Sequence, residues 1–287
     1  MTFRIPDEKR IEICKLYESL GRIKKVAEIT KFNEKTIRNI LKEYKIKTTP
    51  REERNKKYTI DELFFEEINT HNKAYILGFI YGDGNIVKTH GKSGGGGGVL
   101  RFELAIKDEY ILYDIRNALK SNAPIKNRNI ENRKPAIINN REIKRTESVI
   151  LNICNTKIYN QLIKIGLTEN KTINCTYPNI PDEFQGSFIL GLTDSDGWFS
   201  IDSKNRGSWN FIGTFDMCEG VRKILLKNDI RSKVIKKSNP IGQQMWLVRI
   251  TRKDEVIKLR TFVYNNATFY LDRKYNIAKN IQYKSKK

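Results

Sequence analysis

Two aspartates, Asp83 and Asp196, close apolar runs that read almost alike, ILGFIYGDG at 76–84 and ILGLTDSDG at 189–197. The copies lie 113 residues apart. In helical register Gly78 and Gly82 share one face, as do Gly191 and Ser195. A helix-interior glycine costs about 1 kcal/mol relative to alanine. Close approach of a second backbone is a reason to accept that cost. The spacing therefore predicts two helices packed along their small residues, with Gly84 as a left-handed cap of the first. Such packing brings Asp83 and Asp196 together at helix C-termini, where the dipole disfavours negative charge. Divalent cations would offset the repulsion, and an oxygen-rich carboxylate site suits magnesium.

The doubled pattern resembles the LAGLIDADG homing endonucleases in their single-chain, two-motif form. Both copies keep the apolar–small–apolar register and the terminal Asp-Gly. Position six is Tyr81 in the first copy and Asp194 in the second, so the first departs from the acidic consensus at a position that is not a metal ligand. The resemblance implies an α+β fold of two pseudo-symmetric αββαββα units forming a DNA-binding saddle. It further implies a monomer that hydrolyses a phosphodiester in each strand of a long specific duplex target, roughly twenty base pairs or more. Cleavage would run across the minor groove and leave short 3′ overhangs. Asp83 and Asp196 would be the metal ligands, with two or three Mg2+ per active centre. Family members also place basic residues near the centre. The matching regions offer Lys157 in ICNTKIYNQL, Arg252 or Lys253 in ITRKDEV, and Lys107 after FELAI.

The flanks of the two motifs repeat as well. After the first come NIVKT and VLRFELAI as strands, EYILYDIRNALKS as a helix, PIKNRNIE and SVILNIC as strands, and a helix through KIYNQLIKIGL. After the second come WFSIDSK, SWNFIGTF, DMCEGVRKILLKND, SKVIKKS, MWLVRIT and KDEVIKLRTFVY in the same order. One face of each sheet must pack on helices, which leaves the other for phosphates and bases. Candidates for that face are Lys88, Arg101, Glu103, Lys126, Arg128, Arg133, Ser203, Lys204, Arg206, Asn210, Lys233, Lys236, Lys237, Gln244 and Arg249. Trp198, Trp209 and Trp246 read as packing residues. The glycine run 94–98 falls in the first hairpin and is either a loop tip or an engineered replacement for a natural insert.

Residues 1–46 read as three short helices with tight turns, a helix-turn-helix DNA-binding domain. Ile11, Leu16 and Leu20 lie near one face of the first helix with Ile13 and Tyr17 beside it, and Ile37, Ile40, Leu41 and Tyr44 give the third its apolar side. Lys35, Thr36, Arg38, Asn39 and Lys42 are left for DNA. Residues 47–60 form a basic linker, 61–171 the first half, and 172–287 the second half with the C-terminal tail.

Charge agrees with a polyanion partner. The 287 residues carry 54 Lys and Arg against 33 Asp and Glu, a net +21. Residues 1–60 hold 17 basic and 9 acidic side chains, so the excess is spread along the chain and is no basic tail. Phosphate contacts release condensed counterions, which favours binding by such a surface. The four cysteines form no C-x-x-C pair and only two histidines are present, which argues against a zinc site or a disulfide framework. MTFRIPDEKR lacks the apolar core of a signal peptide, so an intracellular setting with host DNA is expected, in a prokaryotic or phage-infected cell or an organelle. The start at Met1 favours an intron-borne or independent gene over an intein. Two other readings share the fold: a group I intron maturase that binds structured RNA, and a transcriptional regulator that binds DNA without cutting. Retention of both aspartates favours the nuclease.

Overall fold

The computed structural model describes residues 5–48, 58–89, 97–128, 136–138, 141–143, 146–169, 171–238 and 244–282. Arg133, most of the 47–60 linker and glycines 94–96 lie outside them. The chain divides into two compact units, Met1–Thr59 and Ile60–Lys287.

The first unit is three helices, α1 (Asp7–Leu20), α2 (Ile23–Thr30) and α3 (Glu34–Glu43). Gly21 ends α1 at φ 62, a left-handed position suited to glycine. The Asn33 side chain caps α3 by accepting the Thr36 N–H. Ile13, Tyr17, Val26, Ile37 and Leu41 form the core. On α1, Ile13, Cys14 and Tyr17 are buried and Leu16 and Leu20 pack partly buried against the core, while Ile11 departs from the expected face at 44% exposure. Tyr44 is also exposed.

The second unit is α+β and built twice. The first motif helix, α4 (His71–Gly82), leads into β1 (Gly84–Lys88) and β2 (Gly98–Ala105). Then follow α5 (Glu109–Ala118), β3 (Ile125–Arg128), a small hairpin β4 (Ala136–Ile138) and β5 (Arg141–Ile143), β6 (Ser148–Cys154) and α6 (Thr156–Ile165). After a helical turn, α7 (Lys171–Asn174), the second motif helix α8 (Gln185–Asp196) starts the repeat: β7 (Gly197–Ile201), β8 (Gly207–Gly213), α9 (Phe215–Lys227), β9 (Lys233–Ser238), β10 (Gln244–Ile250) and α10 (Lys253–Tyr264). A last helix, α11 (Asp272–Lys279), follows. The sheet orders correspond strand for strand, β1-β2-β6-β3 and β7-β8-β10-β9, all antiparallel, as expected of two pseudo-symmetric αββαββα units.

Alternation sets the faces. Along β2, Leu100, Phe102 and Leu104 are buried while Arg101 and Glu103 are open. Asn155 and Thr214 cap α6 and α9 by accepting backbone N–H groups. Both motif helices are buried on nearly every side, and the second also buries the polar Gln185, Ser187, Thr193 and Asp194. Two expectations need correction. Gly84 adopts no left-handed cap, because β1 leaves the helix directly after Asp83 and pairs at once with β2. Trp198 is 38% exposed on the open face of the second sheet, whereas Trp209 is fully buried with its indole N–H on Thr193 Oγ1.

Candidate active site

The motif helices meet backbone to backbone. A Cβ on Gly78 would lie 2.1 Å from Phe188 O, and one on Gly191 2.1 Å from Tyr75 O. A Cβ on Gly82 would overlap Ser195 Oγ at 1.9 Å and approach Asp196 Oδ2 at 2.9 Å. The seam therefore admits no larger residue at these positions, and it draws the two C-terminal ends together. Asp83 caps α4 and Asp196 is the last residue of α8. Both carboxylates reach solvent, yet protein crowds them on their remaining sides. Loss of surrounding water, and then the charge of Asp196, pushes Asp83 up to about 6. Burial raises Asp196 too.

Two lysines that the sequence reading did not select hold this arrangement. Lys171 Nζ donates to the carbonyls of Ile80 at 2.8 Å and Tyr81 at 3.1 Å, and also to that of Gly82. Lys274 Nζ donates to Thr193 O at 2.8 Å, Asp194 O at 2.7 Å and Gly197 O at 2.7 Å, with Ser195 O at 3.4 Å. Each ammonium thus sits on the last turn of one motif helix, where positive charge offsets the helix dipole. Burial lowers both lysines to about 8, opposed by the nearby carboxylates. The pair follows the symmetry of the fold, since each lysine comes after the last helix of its αββαββα unit.

The segment carrying Lys274 is fastened to both halves. Leu271 N–H donates to Asp194 Oδ2 at 2.8 Å, Asp272 N–H to Tyr110 Oη at 2.7 Å, and Arg273 Nη2 to Asp108 Oδ2 at 2.9 Å. Asp194, at position six of the second motif, also accepts the Tyr75 hydroxyl at 2.9 Å. It is 1% exposed, and burial pushes it up to about 6. It braces the helices and points away from solvent. Tyr81, its counterpart, packs edge-on against Phe188.

No family model matches the sequence, and no curated protein matches it. Solved structures to which it is similar include homing endonucleases and meganucleases. Mesophilic variants of the homing endonuclease I-DmoI align at 15% identity over 71% of this chain and 97% of theirs, with a TM-score of 0.47. The LAGLIDADG meganuclease I-AabMI bound to uncleaved DNA aligns at 16% over 72% and 87%, TM-score 0.46. Meganuclease I-SmaMI bound to uncleavable DNA aligns at 12% over 72% and 86%, TM-score 0.48. At these values no residue role is transferred, and the placement of site residues rests on this chain's own geometry.

That geometry separates the sequence candidates. The cations acting most strongly on Asp83 are Lys171, Lys274 and Arg273. Lys157 instead pairs with Glu62 at 2.9 Å. Lys253 opens α10 beside the exposed Arg252–Asp254 pair, and Lys107 lies exposed in the 3-10 turn after β2. On the first sheet Arg101, Glu103, Lys126 and Arg128 share the open face. Arg101 donates to Asn152 at 2.8 Å, and Glu103 accepts from Arg128 at 2.7 Å and Ser148 at 2.9 Å. Lys88 pairs with Gly98 in the alternate register at the strand end. On the second sheet Asn210 opposes Arg249, and Lys233 and Lys237 share their face. Lys236 and Gln244 fall on the helix side by register, exposed near the strand ends. Ser203, Lys204 and Arg206 lie in or beside the β7–β8 turn, where Asp202 binds the Arg206 guanidinium at 2.7 Å. On α3, Lys35, Arg38, Asn39 and Lys42 are exposed, while the Thr36 hydroxyl is tied to Asn33 at 2.9 Å.

Proposed function

We propose that this chain is a site-specific DNA endonuclease that hydrolyses both strands of a duplex with divalent metal, as an intron-homing enzyme does. The observation that carries this reading is the symmetric convergence of Asp83 and Asp196, each on a helix end held by its own lysine. Two nearby carboxylates with raised pKa values are a poor end state for protein alone and a good one beside a cation. Among the described residues no group of three or more His, Cys, Asp or Glu stands close enough to cage a metal. Magnesium is commonly bound by one or two carboxylates, with waters and substrate phosphates completing its shell. Asp83 and Asp196 fit that pattern and would hold it. Bound metal would lower the pKa of a water and neutralise charge on the phosphate.

The chain's own groups do the rest. Lys171 and Lys274 fix the carbonyls around the aspartates and set two positive charges beside them, which would favour the negative charge that builds on the phosphate oxygens. The glycine seam keeps the two halves of the site in register. The open sheet faces on either side of the seam supply Arg101, Lys126, Arg128, Lys233, Lys237 and Arg249 for phosphates and bases. The first unit adds Lys35, Arg38, Asn39 and Lys42 of α3 and lengthens the contacted site. The test is mapping of DNA ends after incubation with source-genome DNA lacking the host element, with and without magnesium. One recurrent double-strand break with short 3′ overhangs, dependent on magnesium, is the expected result. Specific binding by folded protein without breaks would replace the nuclease with a regulator.

A further inference from the structure

The open face of the second sheet is not simply basic. Trp198, Ile212, Met245 and the nearly buried Leu247 line a groove of about 430 Å³ together with Ser200, Ser208, Asn210, Lys237 and Arg249. Register explains the grouping: Ile212 opposes Leu247, and Met245 opposes Lys237. The corresponding positions of the first sheet are Asn85 for Trp198, Glu103 for Ile212, Ser148 for Met245 and Ile150 for Leu247. Thus three of the four apolar positions are polar in the other half. Single exposed apolar residues are ordinary, but a contiguous concave set beside cations asks for a partner of matching chemistry.

Duplex DNA supplies both parts. Its phosphates meet the cations, and in the major groove the only apolar group on a base edge is the thymine C5-methyl. A second copy of this chain would bring another +21 surface against the same lysines. Resting on the DNA-binding reading above, we propose that the second half selects a thymine-rich half-site, taking thymine methyl groups against Trp198, Ile212 and Met245. The first half reads polar base edges with Arg101, Glu103 and Asn152.

The test selects bound sequences from a random duplex library with the full chain in EDTA. Thymines in the selected target are then exchanged one at a time for deoxyuridine, which removes only the methyl. Burial of one methyl is worth about fourfold in affinity. The expected result is a loss of roughly that size per site, confined to one half of the target. In a Trp198→Ser/Met245→Ser variant the exchange should become neutral. A target whose thymines tolerate deoxyuridine throughout overturns the inference and leaves DNA binding standing, as does an unchanged penalty in the double variant. A dimer in sedimentation that Met245→Ser dissociates would make the groove a self-association surface and overturn it too. No enriched sequence at all would remove both the inference and the reading beneath it.

Discussion

The helix seam and the sheets have diverged to different degrees within one duplicated frame. At the seam, the glycines, the terminal aspartates and the lysines of one half have partners in the other, Gly78 with Gly191, Asp83 with Asp196 and Lys171 with Lys274, while position six differs, Tyr81 against Asp194. On the sheets the strand order is kept while the open surfaces part company, Asn85 and Glu103 standing where Trp198 and Ile212 stand. The difference fits the two tasks of the proposed nuclease. Two DNA strands offer the same phosphodiester, so chemistry favours symmetry. Two half-sites offer different bases, so recognition favours divergence.

The sharpest way to break that contrast is at the carboxylates. Asp83→Asn and Asp196→Asn should each reduce double-strand cleavage by at least about a hundredfold, the scale of losing one group that stabilises developing charge. DNA affinity should stay. Gel assays of both strands check this, and a folded Asp196→Asn protein that cuts both strands at the normal rate would sink the assigned site.

Stability separates the regions next. Gly191→Ala drives a Cβ to 2.1 Å from Tyr75 O and 2.6 Å from Phe79 N, both backbone atoms that cannot swing aside. The expected loss is about 3 kcal/mol, at the upper end for overpacking. Trp198→Ser, on the open face, should stay within about 0.5 kcal/mol of the parent. Urea denaturation reads both, and equal losses would mean that the sheet face carries core packing after all.

A finer comparison sets the two lysines against each other. Lys274 is 6% exposed and serves four carbonyls, whereas Lys171 is half-buried and serves three. Lys274→Met should cost about 1–3 kcal/mol for the orphaned acceptors, and Lys171→Met less because water can replace its ammonium. Cleavage should fall in both variants. If either cuts at the parental rate, that lysine is a helix cap and nothing more.

The sequence reached these features unevenly, for physical reasons. The seam was legible because glycines four apart in an apolar run have few other uses, and because the pattern occurs twice. SVILNIC was legible because a strand buried on one face shows its period directly. The lysines were not. Helix α11 is short and polar, with only Lys274 and Ala278 buried, so it has no amphipathic signature. Lys171 opens a four-residue turn. The one available signal was positional: a lysine in each half shortly after the unit's last helix. The exposure of Trp198 was likewise hidden, because tryptophan reads as core until the register of β7 puts it on the open side.

The first unit tests recognition alone. Lys42 is exposed near the C-terminal end of α3 and makes no claim on the seam. Lys42→Ala should weaken DNA binding uniformly across sequences and reduce the salt slope by about one, as loss of one phosphate contact does. Removing residues 1–59 should weaken binding further while magnesium-dependent cutting persists. Unchanged affinity at physiological salt would deny the three-helix unit a part in recognition.

The smallest expected effect returns to the seam and asks whether its symmetry carries an electrostatic cost. An aspartate titrates near 3.9 in the unfolded chain, and Asp83 is pushed up to about 6 in the fold. Below about pH 4 the group is protonated in both states and favours neither. Between there and about 6 the folded protein holds a proton that the unfolded chain has released, so stability falls as pH rises. Above 6 both states are ionised and the full penalty stands. Asparagine does not titrate, so metal-free Asp83→Asn should match the parent near pH 4 and melt above it at pH 7.5. The exposed edge of Asp83 lets water screen the repulsion, which keeps the gain under about 1 kcal/mol, or a shift of about 2–4 °C. Asp194 titrates over a similar range in both proteins and cancels. A difference that ignores pH, or one of the opposite sign, would mean that the paired carboxylates sit without strain and that their closeness alone gives no reason to bind a cation.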